Sequence, residues 1–278
     1  MLDANTFGVL HDLSVFVSIA TALSLVAYRM MRQLRPEISW NQEGQVLSRS
    51  FGALDLLVLA GLGLFFIIYA LQPQDSVAGG GGGGVANDSS LIISMAFNLI
   101  MCVGLLLYLF QVRGLNPAEL FGLANLHWRS MIRVVSVFTV VILISVNLIS
   151  SISVSWLQDV WPNLEPQETV KAFKESSSIG FKFLVVIAAV VIAPLAEETL
   201  FRGFVYGVLK RYTDAPFAAL SSSLMFAIIH MHVGSLLPLC MLAVLFCLAY
   251  EITGCLLVPM LLHAIFNAVS IIAMMFWD

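Results

Sequence analysis

The sequence predicts an all-α protein: a polytopic membrane helical bundle of about eight transmembrane helices. Three observations predict it. Of 278 residues, 60% are hydrophobic and only 11% are charged. A soluble domain carries about 25% charged residues, so this chain could not cover a water-facing surface. The apolar residues also fall into runs that match a hydrocarbon core of about 30 Å, which takes about 20 residues of helix to cross. Finally, no long polar segment separates the runs, which argues for a single bundle.

The runs lie near 8–28, 52–71, 91–112 and 131–155, then from about 181 to 209, and near 215–232, 235–251 and 255–276. They divide the chain into an N-terminal half, 1–180, with four spans and the longer loops, and a C-terminal half, 181–278, with four closely spaced spans. The first run is preceded by Asp3, His11 and Asp12 and followed by basic residues. That order suits a retained span better than a cleaved leader, which needs a basic start. Gly79 to Gly84 form a run of six glycines between the second and third spans. It reads as a flexible linker, since no Lys-Ser/Thr follows and no strand precedes it to make a phosphate cradle. Residues 156–180 hold Trp156, Trp161, Pro162 and Pro166 among Glu165, Glu168, Lys171, Lys174 and Glu175. This pattern fits either an interfacial amphipathic segment over the outer mouth of the bundle or a plain polar loop.

Basic residues set the expected orientation. Arg29, Arg32, Arg35 and Arg49 follow the first span. Arg113, Arg129 and Arg133 follow the third, and Arg202, Lys210 and Arg211 close the fifth. With eight spans these ten fall on one side, leaving Lys171, Lys174 and Lys182 on the other. The expectation is therefore an integral protein of an inner or plasma membrane with both termini outside. The net charge of −4 is thinly spread and suggests no nucleic-acid partner. The expected partners are membrane lipids and a membrane-associated peptide or protein substrate. Cys102, Cys240, Cys247 and Cys255 lie in or beside apolar runs, with no CxxC pair, and read as buried small apolar residues.

The chemistry is concentrated in the C-terminal half. Glu197 and Glu198 follow the apolar run Phe183–Ala193 and Pro194, and an ionisable group at membrane depth is expensive and functional by default. Successive helical residues point about 100° apart, so the two acids cannot share one role. Glu198 and Arg202 are four apart in the favourable order for a pair. Glu197 is left without a local partner and free to act as a general base. Phe226 and His230 are also four apart, with His230 about 22 Å past Ala215 if the helix is continuous. His232 points off that face. His263 and Asn267 repeat the spacing within the last run, where an amide needs a partner helix or a wet cavity. Each pair alone could be structural. Together, a base, two imidazoles and an amide donor are the parts of a water-activating hydrolase.

These residues resemble a known family. Glu197-Glu198-Thr199-Leu200-Phe201-Arg202 resembles its EExxxR motif, Phe226 to His230 its FxxxH motif, and His263 to Asn267 its HxxxN motif. Tyr250-Glu251-Ile252-Thr253-Gly254 resembles the turn before the third. The family is CPBP (CAAX proteases and bacteriocin-processing enzymes, also called Abi), which includes the type II CAAX prenyl endopeptidases. The resemblance covers about residues 181–275. It implies that 181–278 is the catalytic helical core of an intramembrane, glutamate-dependent endopeptidase without a cofactor. By motif position, Glu197 and His230 would activate water, His263 and Asn267 would stabilise the oxyanion, and Glu198, Arg202 and Phe226 would support the site. The alternatives are a zinc protease holding its metal on Glu197, His230 and His263, although no HExxH is present, a non-catalytic scaffold or immunity protein of the same family, and a proton-coupled transporter. A serine protease would need a GxSxG, and an aspartyl one two intramembrane aspartates; neither pattern occurs.

Overall fold

The computed structural model describes residues 44–71, 88–123, 128–160 and 167–276, together with helical positions between 13 and 33. The glycine run, the first twelve residues and Trp161, Pro162, Glu165 and Pro166 lie outside the described residues. What is described is helical, without strands. We number the helices α1 (Ala53–Leu71), α2 (Asp88–Leu107, widening into Tyr108–Val112), α3 (Pro117–Leu120), α4 (Trp128–Val160), α5 (Glu168–Glu175), α6 (Ile179–Tyr212), α7 (Ala215–Ile228), α8 (Val233–Thr253) and α9 (Leu257–Phe276). Among the described residues five helices are long and apolar enough to cross a membrane: α2 with its extension, α4 to Gln158, α6, α8 and α9. The chain is an all-α polytopic membrane bundle. Large apolar side chains such as Leu57, Ile100, Ile144, Trp156 and Phe183 are exposed. On a soluble surface this would be costly; in a bilayer it is the lipid-facing side.

The core forms around α8, which packs against α4, α6, α7 and α9. Phe246, Ala243, Cys247, Ala249 and Tyr250 are almost wholly enclosed. On one side of α8, Ile142 and Val146 of α4 meet Leu242, Phe246, Val258 and Leu262. On the other, Leu109, Phe121, Phe201, Phe204, Leu209 and Phe226 close a second cluster. The N-terminal half is knitted into this core. Asp55 at the start of α1 is fully buried and accepts from Tyr108 Oη at 2.8 Å and Arg113 Nε at 2.9 Å, and from the Gly52 N–H at 2.7 Å. Its bond to Asp55 raises the Arg113 pKa further above its ordinary value. Gly203 allows α6 its approach to the segment after α3, since a Cβ there would stand 2.9 Å from Phe121 Cε1.

Several boundaries differ from those the sequence predicts. The sixth run was expected to stay helical to 232, but α7 ends at Ile228. The His230 N–H reaches back only three residues, to Ala227 O at 3.3 Å, and Met231 adopts a left-handed φ of 48°. His230 is thus in the turn, not on the helix. The reason is His232, which caps α8: its Nδ1 accepts from the Ser235 N–H at 3.1 Å. The segment expected from Trp156 begins inside α4, which runs to Val160. Beyond it lies a short amphipathic helix, α5, with Phe173 buried against Phe181. Arg129 and Arg133 belong to the first turns of α4. Two basic residues counted for orientation are not loop charges: Arg202 and Lys210 are 1% and 4% exposed, each paired inside the bundle. Of the cysteines only Cys247 and Cys255 are buried; Cys102 and Cys240 are half-buried, on helix faces that the packing leaves partly open.

Candidate functional site

α6 carries the two acids. It is 34 residues long and not regular throughout: Ala188–Ile192 and Thr199–Tyr206 are wide turns bonded five residues apart rather than four. Each wide turn advances the following side chains by about one residue's rotation, and such turns gather at functional sites. Between them, Ala193–Glu198 is an ordinary helical turn holding Pro194, Glu197 and Glu198.

Glu198 is fully buried. Its Oε1 accepts from Arg202 Nη1 at 3.0 Å and lies 2.8 Å from His263 Nδ1 on α9. The Arg202 guanidinium is sandwiched between Phe226 of α7, 4.6 Å away, and Phe246 of α8, 5.2 Å away. Cation–π attraction therefore contributes what missing hydrogen bonds do not: among the described residues Arg202 Nε and Nη2 have no hydrogen-bond partner. A buried pair of this kind is costly to form but costlier to break, because the surviving charge stays in an apolar medium.

Glu197 points elsewhere. It retains 18% exposure, and its Oε2 stands 4.0 Å from His230 Nε2 and 4.0 Å from His263 Nε2. The other nitrogens of both rings are committed. His230 Nδ1 is 2.8 Å from Phe226 O; a carbonyl can only accept, so this nitrogen carries the proton. His263 Nδ1 faces the Glu198 carboxylate that Arg202 neutralises, and donates to it in the same way. These assignments follow from the partners. They leave each Nε2 turned towards Glu197 Oε2, which has no hydrogen-bond partner among the described residues. At 4.0 Å the groups are too far apart to bond directly and are spaced for one small molecule between them. Phe226 fixes the rings further, with centroids 4.7 Å from His230 and 6.0 Å from His263, while Phe246 lies 5.3 Å from His263.

The fold thus brings together Glu197, Glu198, Arg202, Phe226, His230 and His263 from three segments remote in sequence. Asn267 stands one turn beyond His263, half-buried, and its Nδ2 donates to Ala189 O on α6 at 2.7 Å. Phe246 was not singled out in the sequence, where one Phe in an apolar run gives no signal. Neither was Glu251 of the turn-like stretch, whose Oε1 accepts from Tyr206 Oη at 2.6 Å and pairs with Lys210 Nζ. Gly254 then closes α8 in the left-handed conformation, φ 63°. Among the described residues no group of three or more His, Cys, Asp or Glu side chains is close enough to hold a metal ion.

Residues 179–269 match the family model described as type II CAAX prenyl endopeptidase Rce1-like. The Bacillus subtilis (strain 168) protein named "Putative membrane peptidase YdiL" is 32% identical over 89 residues. That stretch covers 32% of this chain and 36% of the relative, so the two are similar over about a third of their lengths. No solved structure matches the chain.

Proposed function

We propose that the chain is a CPBP-family intramembrane endopeptidase that hydrolyses a peptide bond of a membrane-associated substrate, a reading supported by the match of residues 179–269 to the Rce1-like family model. The observation that carries the proposal is the convergence of His230 Nε2 and His263 Nε2 on Glu197 Oε2, both at 4.0 Å. A water between them would donate one hydrogen to Glu197 and the other to His230. Glu197 takes the first proton as the water oxygen attacks the peptide carbonyl carbon, then returns it to the leaving amine; this is general acid–base chemistry by one group.

The tetrahedral oxyanion needs donors aimed at it. His263 would supply one through an Nε2–H, with its Nδ1–H held by Glu198 Oε1. Asn267 has a second amide hydrogen besides the one held by Ala189 O and is the neutral donor of the pair. Arg202 holds Glu198 in place at 3.0 Å, and Phe226 keeps the rings oriented. The substrate class suggested by the family is a lipid-modified C-terminal segment, delivered laterally through the bilayer.

The test is cleavage by purified protein in detergent micelles. The probes are a fluorogenic farnesylated Cys-aliphatic-aliphatic-X peptide and an unlipidated apolar peptide. Cleavage that is lost in both Glu197→Ala and His230→Ala is expected. Full activity in either variant refutes the assignment. Absence of cleavage of any membrane peptide, with a deletion phenotype rescued by Glu197→Ala, would leave a scaffold instead.

A further inference from the structure

We infer that Pro194 and Asn267 form a clamp that positions Glu197, with the Asn267 side chain replacing a backbone hydrogen bond that Pro194 cannot make. At the wide turn Ala188–Ile192 the backbone bonding steps from four residues to five. Ala188 O takes the Ala193 N–H in this way. Five residues beyond Ala189 is Pro194, which has no N–H to give. Ala189 O is thereby deprived of its helical donor at a place where bulk water is not at hand, and such a carbonyl is costly to leave unpaired. Asn267 Nδ2 fills that vacancy at 2.7 Å.

The consequence lies three residues on. An extra residue in the turn rotates everything beyond it by about 100° relative to an uninterrupted α-helix. Glu197 faces His230 and His263 only while the wide turn persists. α9 grips α6 on both sides of Pro194, which is itself buried: Asn267 holds Ala189 before it, and His263 holds Glu198 after it at 2.8 Å. The HxxxN spacing thus has a structural reason, since one turn of α9 spans the two anchor points. Asn267 and Pro194 act here as positioning residues. The inference rests on the peptidase reading only for its effect on turnover. The clamp is a property of the fold.

The experiment is a double-mutant cycle of Asn267→Ala and Pro194→Ala, read both as cleavage of the farnesylated peptide and as unfolding temperature in detergent. Pro194→Ala restores a backbone N–H that can serve Ala189 O. With Pro194 present, Asn267→Ala is expected to lower kcat at least tenfold with KM within twofold and to lower the unfolding temperature. In the Pro194→Ala background the loss in unfolding temperature is expected to shrink by at least threefold, while the rate loss that remains reports the oxyanion contact of Asn267. Equal losses of unfolding temperature in the two backgrounds overturn the clamp. If the native protein cleaves nothing, the peptidase reading fails while the temperature cycle still decides. If Pro194→Ala does not accumulate in membranes, Asn267→Asp replaces it: a side chain of the same shape without the donor should destabilise at least as much as Asn267→Ala, and an unchanged unfolding temperature overturns the inference.

Discussion

His263 Nδ1 lies 2.8 Å from Glu198 Oε1, so the buried acid that pairs with Arg202 on its own helix also orients an imidazole 65 residues away in sequence. One carboxylate oxygen serves two partners. The neighbouring acid, Glu197, then faces the opposite nitrogen of the same ring. Each acid has an Oε2 without a hydrogen-bond partner among the described residues; they differ in that Glu198 is fully buried with Oε1 held by Arg202 and His263, while Glu197 is partly exposed.

That division predicts different outcomes for isosteric changes. Glu197→Gln should keep the unfolding temperature within a degree or two and reduce turnover by about 10²–10⁴-fold, the range of a lost general base. Glu198→Gln should lower both, because Arg202 is left buried without its counter-ion. Thermal unfolding and initial rates on the same preparations check this. A larger loss of turnover from Glu198→Gln than from Glu197→Gln would reverse the roles.

Arg202 should tolerate no replacement. Arg202→Ala strands the Glu198 charge, and breaking one partner of a buried pair costs about 3–5 kcal/mol. Arg202→Lys keeps the charge but not the planar group between Phe226 and Phe246, and Arg and Lys are not equivalent at a stacked site. Both variants should accumulate poorly or unfold earlier. Native-like stability of Arg202→Lys would show that the aromatic sandwich contributes little.

Gly203→Ala should destabilise the bundle by about 1–3 kcal/mol, the usual range for overpacking. The added Cβ would meet Phe121 Cε1 at 2.9 Å and Leu256 Cδ2 at 3.3 Å. Adding Phe121→Leu to relieve the contact should recover part of the loss. If Gly203→Ala unfolds at the native temperature, the packing of α6 against Phe121 is looser than the distances imply.

Chelation addresses the zinc reading of Glu197, His230 and His263. The expected result is full cleavage after dialysis against a strong chelator, with no stoichiometric metal by elemental analysis. Loss of activity that stoichiometric zinc restores would transfer the water-activating role to a metal.

Topology can be read with reporter fusions. With Arg202 and Lys210 inside the bundle, the loops after the first and third spans carry the orienting charges, Arg29, Arg32, Arg35 and Arg49, then Arg113 with Arg129 and Arg133. Fusions at residues 40 and 120 should report the cytoplasm, and a fusion at the C-terminus the outside. The opposite pattern overturns the orientation.

The membrane class, the positions of most spans and the three residue pairs spaced four apart could all be read from the sequence. They depend on local properties: run length, charge scarcity and the 3.6-residue helical period. The Glu198–Arg202 contact was legible for the same reason, being made within one helix. The end of α7 was not, because it is decided by His232 capping the next helix and by a left-handed Met231, while hydropathy stays high through both. Which nitrogen of His263 meets which glutamate, the aromatic sandwich around Arg202, and the bond from Asn267 to Ala189 O belong to the tertiary structure alone. They join side chains from helices far apart in sequence, and their geometry depends on how two wide turns rotate α6. The sequence by itself determined which chemical groups are present and on which helices or turns they are carried. Only the packing of α6 against α7, α8 and α9 decided which of them meet.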